Sequence, residues 1–273
     1  MKKSLKKTLL LGLALSASLF LAPAGQTADH GHGGHGGEAR QSAGETVKTI
    51  IDGNDRFLHR HDSHAFDSYQ EGQTPGLTVI ACSDSRVHTD LFGIDPKNNI
   101  FVIRNIGNQL RTAEGSVDYG VHHLPTRILL VLGHTSCGAV KAAMGDYSGE
   151  SAGIRAELDT LKPVIATDNG QGDFKARWAR NIEINVDYQV REALALYADK
   201  VKAGEVVVVG AVYDFNDVYG KGRGSLLITN VNGETDPEKI RQAPALKELS
   251  LAQLAGHVES LAPAAEFAPA SAH

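Results

Sequence analysis

"LTVIACSDSRVH", residues 77–88, decides the reading of the fold. Its first six residues are apolar, rich in β-branched side chains and entered through Pro75-Gly76, which predicts a buried strand. At the carboxyl end of that strand the chain changes to Cys82, Asp84 and Arg86 at alternate positions. An open α/β sheet places its chemistry just beyond the carboxyl ends of its strands. The stretch thus predicts a sheet and the edge on which its site lies.

Working outward, "NIFVIRN" (99–105) reads as a second strand and "TRILLVLG" (126–133) as a third, with Ala113, Val117, Val121 and Leu124 at helical spacing between them. Strand, helix, strand at these lengths is the parallel crossover pattern, and the sheet is expected to be covered on both faces. A helix is expected from Cys137 to Met144, whereas the polar stretch 145–175 gives no firm assignment. Ile182, Val186, Val190, Leu194, Tyr197 and Val201 mark one long helix leading into the strand "EVVVVGAV" (205–212). "SLLITNV" (225–231) adds an edge strand, and Ser250 with Gln253 caps a last helix. Ahead of the first strand, Ser42 and Glu45 form a capping box for a helix whose Val47, Ile50, Ile51, Asn54, Phe57 and Leu58 share a face. The expected fold class is α/β, with a mixed, mainly parallel β-sheet flanked by helices.

The first 24 residues carry Lys2, Lys3, Lys6 and Lys7, an apolar run and the small-residue site Ala22-Pro23-Ala24, the pattern of a Sec-type signal peptide. The run is shorter than the ~20 apolar residues of a spanning helix, so no stable membrane insertion is expected after cleavage. A periplasmic or secreted protein follows. Residues 25–41 read as a flexible His/Gly-rich leader in which His30, His32 and His35 either collect zinc or copper loosely or belong to a plain solvated linker. One domain is expected over 42–260, then an Ala/Pro-rich tail at 261–273. Removing the four lysines of the first 24 residues, where no acid stands, takes the formal charge from −5 to −9. That balance argues against nucleic acid or anionic lipid as a partner.

Only two cysteines occur, Cys82 and Cys137. In an oxidising compartment the plain expectation is one disulfide. Their surroundings favour a metal: His134 and Cys137 form a His-x-x-Cys turn after the third strand, and Asp84 and Arg86 flank Cys82. Two thiolates, an imidazole and one further oxygen ligand make a zinc set. Asp84 either ligates the metal or accepts a hydrogen bond from bound water, held by a bidentate Arg86; an ordinary surface ion pair is the alternative.

"ACSDSRV" with "GHTSCGAVKAA" resembles the signature pair of the β-class carbonic anhydrases. The likeness runs on in collinear order through "GNDRF" (53–57), "GQTP" (72–75), "FVIRNIGN" (101–108), "GSVDYGVHHL" (115–124) and "GAVYD" (210–214). The resemblance implies Cys82, His134 and Cys137 as ligands of one zinc per chain, with Asp84 as fourth ligand or gatekeeper paired to Arg86. It implies a substrate-contacting role for Gln73, which is otherwise a loop amide capping a turn, together with a five-stranded mixed sheet and a homodimer or homotetramer. The implied reaction is reversible hydration of carbon dioxide to bicarbonate and a proton. A carbon disulfide or carbonyl sulfide hydrolase on the same scaffold, or a periplasmic zinc-binding protein, are the alternatives; storage, however, needs no Asp84–Arg86 pair. Val87-His88-Thr89 departs from the Val-Pro-Pro common in the family, leaving His88 as proton shuttle or surface residue. "YGKGRG" (219–224) departs too, and lacks the spacing of a phosphate loop.

Overall fold

The computed structural model describes residues 41–261. The signal peptide expected at 1–24, the expected leader but for its last residue, and the tail beyond 261 lie outside these residues. The chain divides after Asp62 into two units. In the first, α1 (Ala43–Arg60) starts at the expected capping box of Ser42 and Glu45 and leaves Val47, Ile50, Ile51 and Leu58 exposed.

The second unit is built on five strands: β1 (Leu77–Cys82), β2 (Ile100–Asn105), β3 (Ile128–His134), β4 (Val207–Asp214) and β5 (Ser225–Val231). Their spatial order is β2-β1-β3-β4-β5; all neighbours are parallel except β5, which runs antiparallel to β4. The chain leaves β1 toward β2 on one side, and leaves β3 toward β4 on the other. That reversal opens a crevice between the carboxyl ends of β1 and β3, where Cys82 and His134 stand.

The helices are α2 (Glu114–His123), α3 (Gly138–Ala143), α4 (Ala152–Ile165), α5 (Phe174–Leu196), α6 (Ala198–Lys202), α7 (Pro237–Ile240) and α8 (Leu251–His257). Two expectations are corrected. The stretch 145–175 contains α4, capped by Ser151 and buried through Leu158, Leu161, Val164 and Ile165, with Pro163 tolerated in its last turn. The single long helix expected to reach Val201 breaks at Tyr197, whose backbone (φ −113°, ψ 26°) leaves the helical region. Tyr197 is buried and its hydroxyl donates to Asp118 on α2, so a distant contact fixes the break.

Alternation along the strands sorts the core into two faces. Ile80, Cys82, Leu129, Val131 and Val208 pack with α2, α4 and α5 side chains on one. Val79, Ala81, Leu130, Leu132, Val209 and Ala211 lie on the other, covered by a short 3-10 turn (Thr89–Phe92) near β1 and by α7 and α8 beside β5. α5 approaches β3 and β4 closely because both carry glycine there. A Cβ at Gly133 would stand 2.6 Å from Val186 Cγ2, and one at Gly210 would stand 2.8 Å from Val186 Cγ1.

α5 also buries Asp187, which accepts a hydrogen bond from Asn230 Nδ2 on β5 at 2.9 Å. Burial pushes this carboxyl up to about 8; the Asn230 bond opposes that and the Glu183 charge adds to it. The unfolded chain releases the same proton near pH 3.9. Between about pH 4 and 8 the native state therefore holds a proton that the unfolded state has lost. Stability falls as pH rises through that window and levels off above it. Asp187→Asn should melt close to wild type at pH 4.5 and gain on it by about 1.4 kcal/mol for each pH unit up to pH 7.5, roughly 4 kcal/mol in all. Thermal melts across that range check it, and parallel pH slopes for the two proteins would refute the account.

Candidate metal centre

Cys82 ends β1 on the α5 face, while His134, by alternation, continues the opposite face of β3. The two meet at the sheet edge. Beyond His134 the chain turns through Ser136, held at φ 57°, so that Cys137 comes back to cap α3. The ligand-capable atoms of Cys82, His134 and Cys137 all lie within 4.8 Å of one another, and all three residues are buried. Both cysteines are free thiols, so the disulfide expectation does not describe this structure.

Each donor is held from behind. His134 Nδ1 sits 2.9 Å from the carbonyl of Thr135, to which it donates; that hydrogen bond sets the tautomer and leaves a lone pair on Nε2. This Nε2 is buried without a hydrogen-bond partner. The Gly107 amide donates to Cys82 Sγ at 3.4 Å, and the amides of Ala139 and Val140 lower the Cys137 pKa by hydrogen bonding. Trp178 Nε1 donates to the Cys137 carbonyl at 2.9 Å. Arg104 on β2 donates from Nε and Nη2 to the Cys82 carbonyl and from Nη2 to that of Asp84, tying the loop to the sheet.

The thiols share a contact. The hydrogen bond from Cys137 pulls the Cys82 thiol well below its ordinary value, against its burial; the same contact and burial push Cys137 up. The pair gives up its first proton readily and resists losing the second, because two anions would then lie together out of water. A divalent cation removes that resistance. An orphaned imidazole lone pair between two thiols is therefore a donor set that fits a metal, and its softness and size fit zinc.

Asp84 falls outside the three-donor group. The chain turns after Cys82, and the carboxylate faces Arg86, which donates from Nε to Oδ1 at 2.9 Å and from Nη2 to Oδ2 at 2.6 Å. The Arg86 amide also donates to Oδ1, and Nη2 reaches the Ser136 carbonyl at 3.1 Å. Hydrogen bonds from Arg86 hold the Asp84 carboxyl down at about 2. Its Oδ2 stays 3.9 Å from His134 Nε2, so an ionised acceptor borders the donors without joining them.

Comparison with known proteins agrees with this centre. A family model described as "Carbonic anhydrase" matches residues 77–221, which include every donor and the Asp84–Arg86 pair. This chain belongs to the β-class carbonic anhydrases. Its reaction is the one the family is named for, the hydration of carbon dioxide. Carbonic anhydrase 2 of Mycobacterium tuberculosis is 26% identical over 185 residues, covering 62% of this chain and 87% of the relative. A carbonic anhydrase of Emericella nidulans is 39% identical over 166 residues, covering 57% and 72%. Among solved structures, a Coccomyxa β-carbonic anhydrase in complex with acetazolamide superposes with TM-score 0.59 at 24% identity, over 78% of this chain and 96% of that one. A Sordaria macrospora structure, described as a tetrameric β-carbonic anhydrase, gives TM-score 0.59 at 23% identity over 67% and 96%.

Neither Gln73 nor His88 is among the donors. Gln73 is exposed ahead of β1, while Cys82 ends that strand, so roughly 17 Å of extended chain lies between the two ends of β1. His88 is exposed and borders an apolar cavity of about 160 Å³ with Val79, Val102 and Arg104. Sequence reading had no local signal for Arg104, Gly107, Ser136 or Trp178 as supports. Their partners stand from 20 to 50 residues away in the chain, beyond the reach of any local pattern.

Proposed function

We propose that this carbonic anhydrase works with one zinc ion per chain held by Cys82, His134 and Cys137, with Asp84 as a fixed acceptor beside it. The observation that carries the reading is the buried, unpartnered Nε2 of His134 within 4.8 Å of two free thiols. Zinc held there would supply Lewis acidity, bringing the pKa of a coordinated water down toward neutrality. The chain's own residues do the rest. Thr135 fixes the His134 tautomer, and the Gly107 amide and the α3 N-terminus support negative sulfur. Asp84, ionised and clamped by Arg86, accepts a hydrogen bond on the substrate side and aims what it holds. Both its oxygens already serve Arg86, which favours this acceptor role over metal ligation.

We place Gln73 at the substrate only as a contribution from a second copy, since within one chain it stands at the far end of β1. A homodimer or homotetramer is supported by the exposed apolar side chains of α1 and by Val102 on the edge strand β2. Export is supported by the basic start, apolar run and Ala22-Pro23-Ala24 site.

Stopped-flow carbon dioxide hydration with metal analysis on mature protein from a periplasmic extract tests the reading. About one zinc per chain, fast hydration and an N-terminus near Gly25 are the expected results. No zinc and no hydration would sink the metal assignment, and turnover of carbon disulfide alone would reassign the substrate.

A further inference from the structure

Phe215 follows β4 directly and is half-buried. Its ring stacks on the His134 imidazole, with centroids 5.9 Å apart and planes at 26°. The Arg86 guanidinium carbon sits 4.7 Å over the centroid of the same ring. One aromatic side chain therefore touches both a metal donor and the cation that clamps Asp84. Tyr213 packs against it edge-on at 5.7 Å.

The contact answers a weakness in the clamp. The Arg86 side chain is 51% exposed, against 17% for Asp84, and an exposed ion pair holds a long side chain poorly. A π face beneath a guanidinium restrains its plane as well as its position. The ring itself is anchored by the turn that follows. Fully buried Asp214 accepts from the amides of Asn216 and Tyr219, and its carbonyl accepts from the Gly224 amide. Tyr219, also buried, donates its hydroxyl to Glu183 on α5. Gly220, Gly222 and Gly224 all have positive φ, which lets the "YGKGRG" segment close this turn.

We propose that Phe215 is a positioning residue for the hydration reaction: its ring holds the Arg86 guanidinium in the plane that keeps the Asp84 carboxylate beside His134. The proposal rests on the role given to Asp84 and Arg86 above. Phe215→Leu and Phe215→Tyr, both zinc-loaded, test it through kcat, KM, zinc content and the NMR resonance of the Arg86 Nε–H. Phe215→Leu should lower kcat about fivefold with KM and zinc unchanged, and Phe215→Tyr should restore it. The ring current should place the wild-type Arg86 Nε–H upfield of its position in Phe215→Leu, and Phe215→Tyr should keep the wild-type position. Wild-type kcat and an unmoved resonance in Phe215→Leu would overturn the proposal; so would equal loss of zinc and activity in both variants, which marks mere packing. If Phe215→Leu does not fold, the absence of a nuclear Overhauser contact between the Phe215 ring and the Arg86 side chain in wild type overturns it alone. Zinc-loaded wild type without hydration refutes the reading of the site instead, and the resonance still decides the ring's role.

Discussion

His134→Ala should leave this carbonic anhydrase with well under one zinc per chain and with carbon dioxide hydration reduced at least about a thousandfold. His134 is fully buried, and its Nδ1 is committed to the Thr135 carbonyl. The alanine variant removes the one neutral donor and leaves two thiols, of which the second gives up its proton reluctantly. Two sulfur donors without the imidazole make an incomplete set for a metal that takes four ligands, so the loss falls on affinity first and turnover with it. Metal analysis after dialysis, stopped-flow assay and circular dichroism on the same sample separate this from unfolding. A folded variant with full zinc and wild-type rates would show that the metal is held elsewhere. Excess zinc offers a second check: partial recovery places the defect in binding.

The elements that build this site were legible to different depths. β1, β3 and β4 announce themselves as β-branched runs because both their faces are buried, and the two cysteine motifs follow two of them directly. The end of α5 was not legible. No glycine or proline stands at Tyr197, and the break depends on a hydroxyl reaching Asp118, 79 residues earlier in the chain. α4 was hidden by its polar surroundings and by Pro163, although Leu158, Leu161 and Ile165 carry helical spacing.

For the site, residue type was enough to identify donors and not enough to orient them. Cys82 and Asp84 stand two apart, the spacing that puts side chains on one face of a strand, yet the turn after Cys82 sends Asp84 to Arg86. Phe215 escaped notice because its partners come from β3 and from the loop after β1, which are brought together only by the sheet order.

Asp84→Asn should separate binding from turnover. None of the three donors touches the substituted atoms by hydrogen bond, so zinc should stay near one per chain. Activity should fall about a hundredfold to a thousandfold, the range for losing a positioned proton acceptor. Arg86 offers Nε–H and Nη2–H as a fork, and a carboxylate answers both with acceptors. An asparagine of the same shape answers one of them with an N–H. Either a fork bond is lost, or the amide turns its donor toward the space where the carboxylate accepted. Both outcomes remove the ionised acceptor that Arg86 keeps charged down to about pH 2. Parallel loss of zinc and activity would instead make Asp84 a ligand in the resting enzyme, and unchanged activity would reduce the pair to a surface ion pair. Stopped-flow rates and metal content measured together discriminate the three. Because Arg86 is half-exposed and keeps its Ser136 and Phe215 contacts, it has no reason to leave its place in the variant. The measured loss therefore reports the acceptor itself.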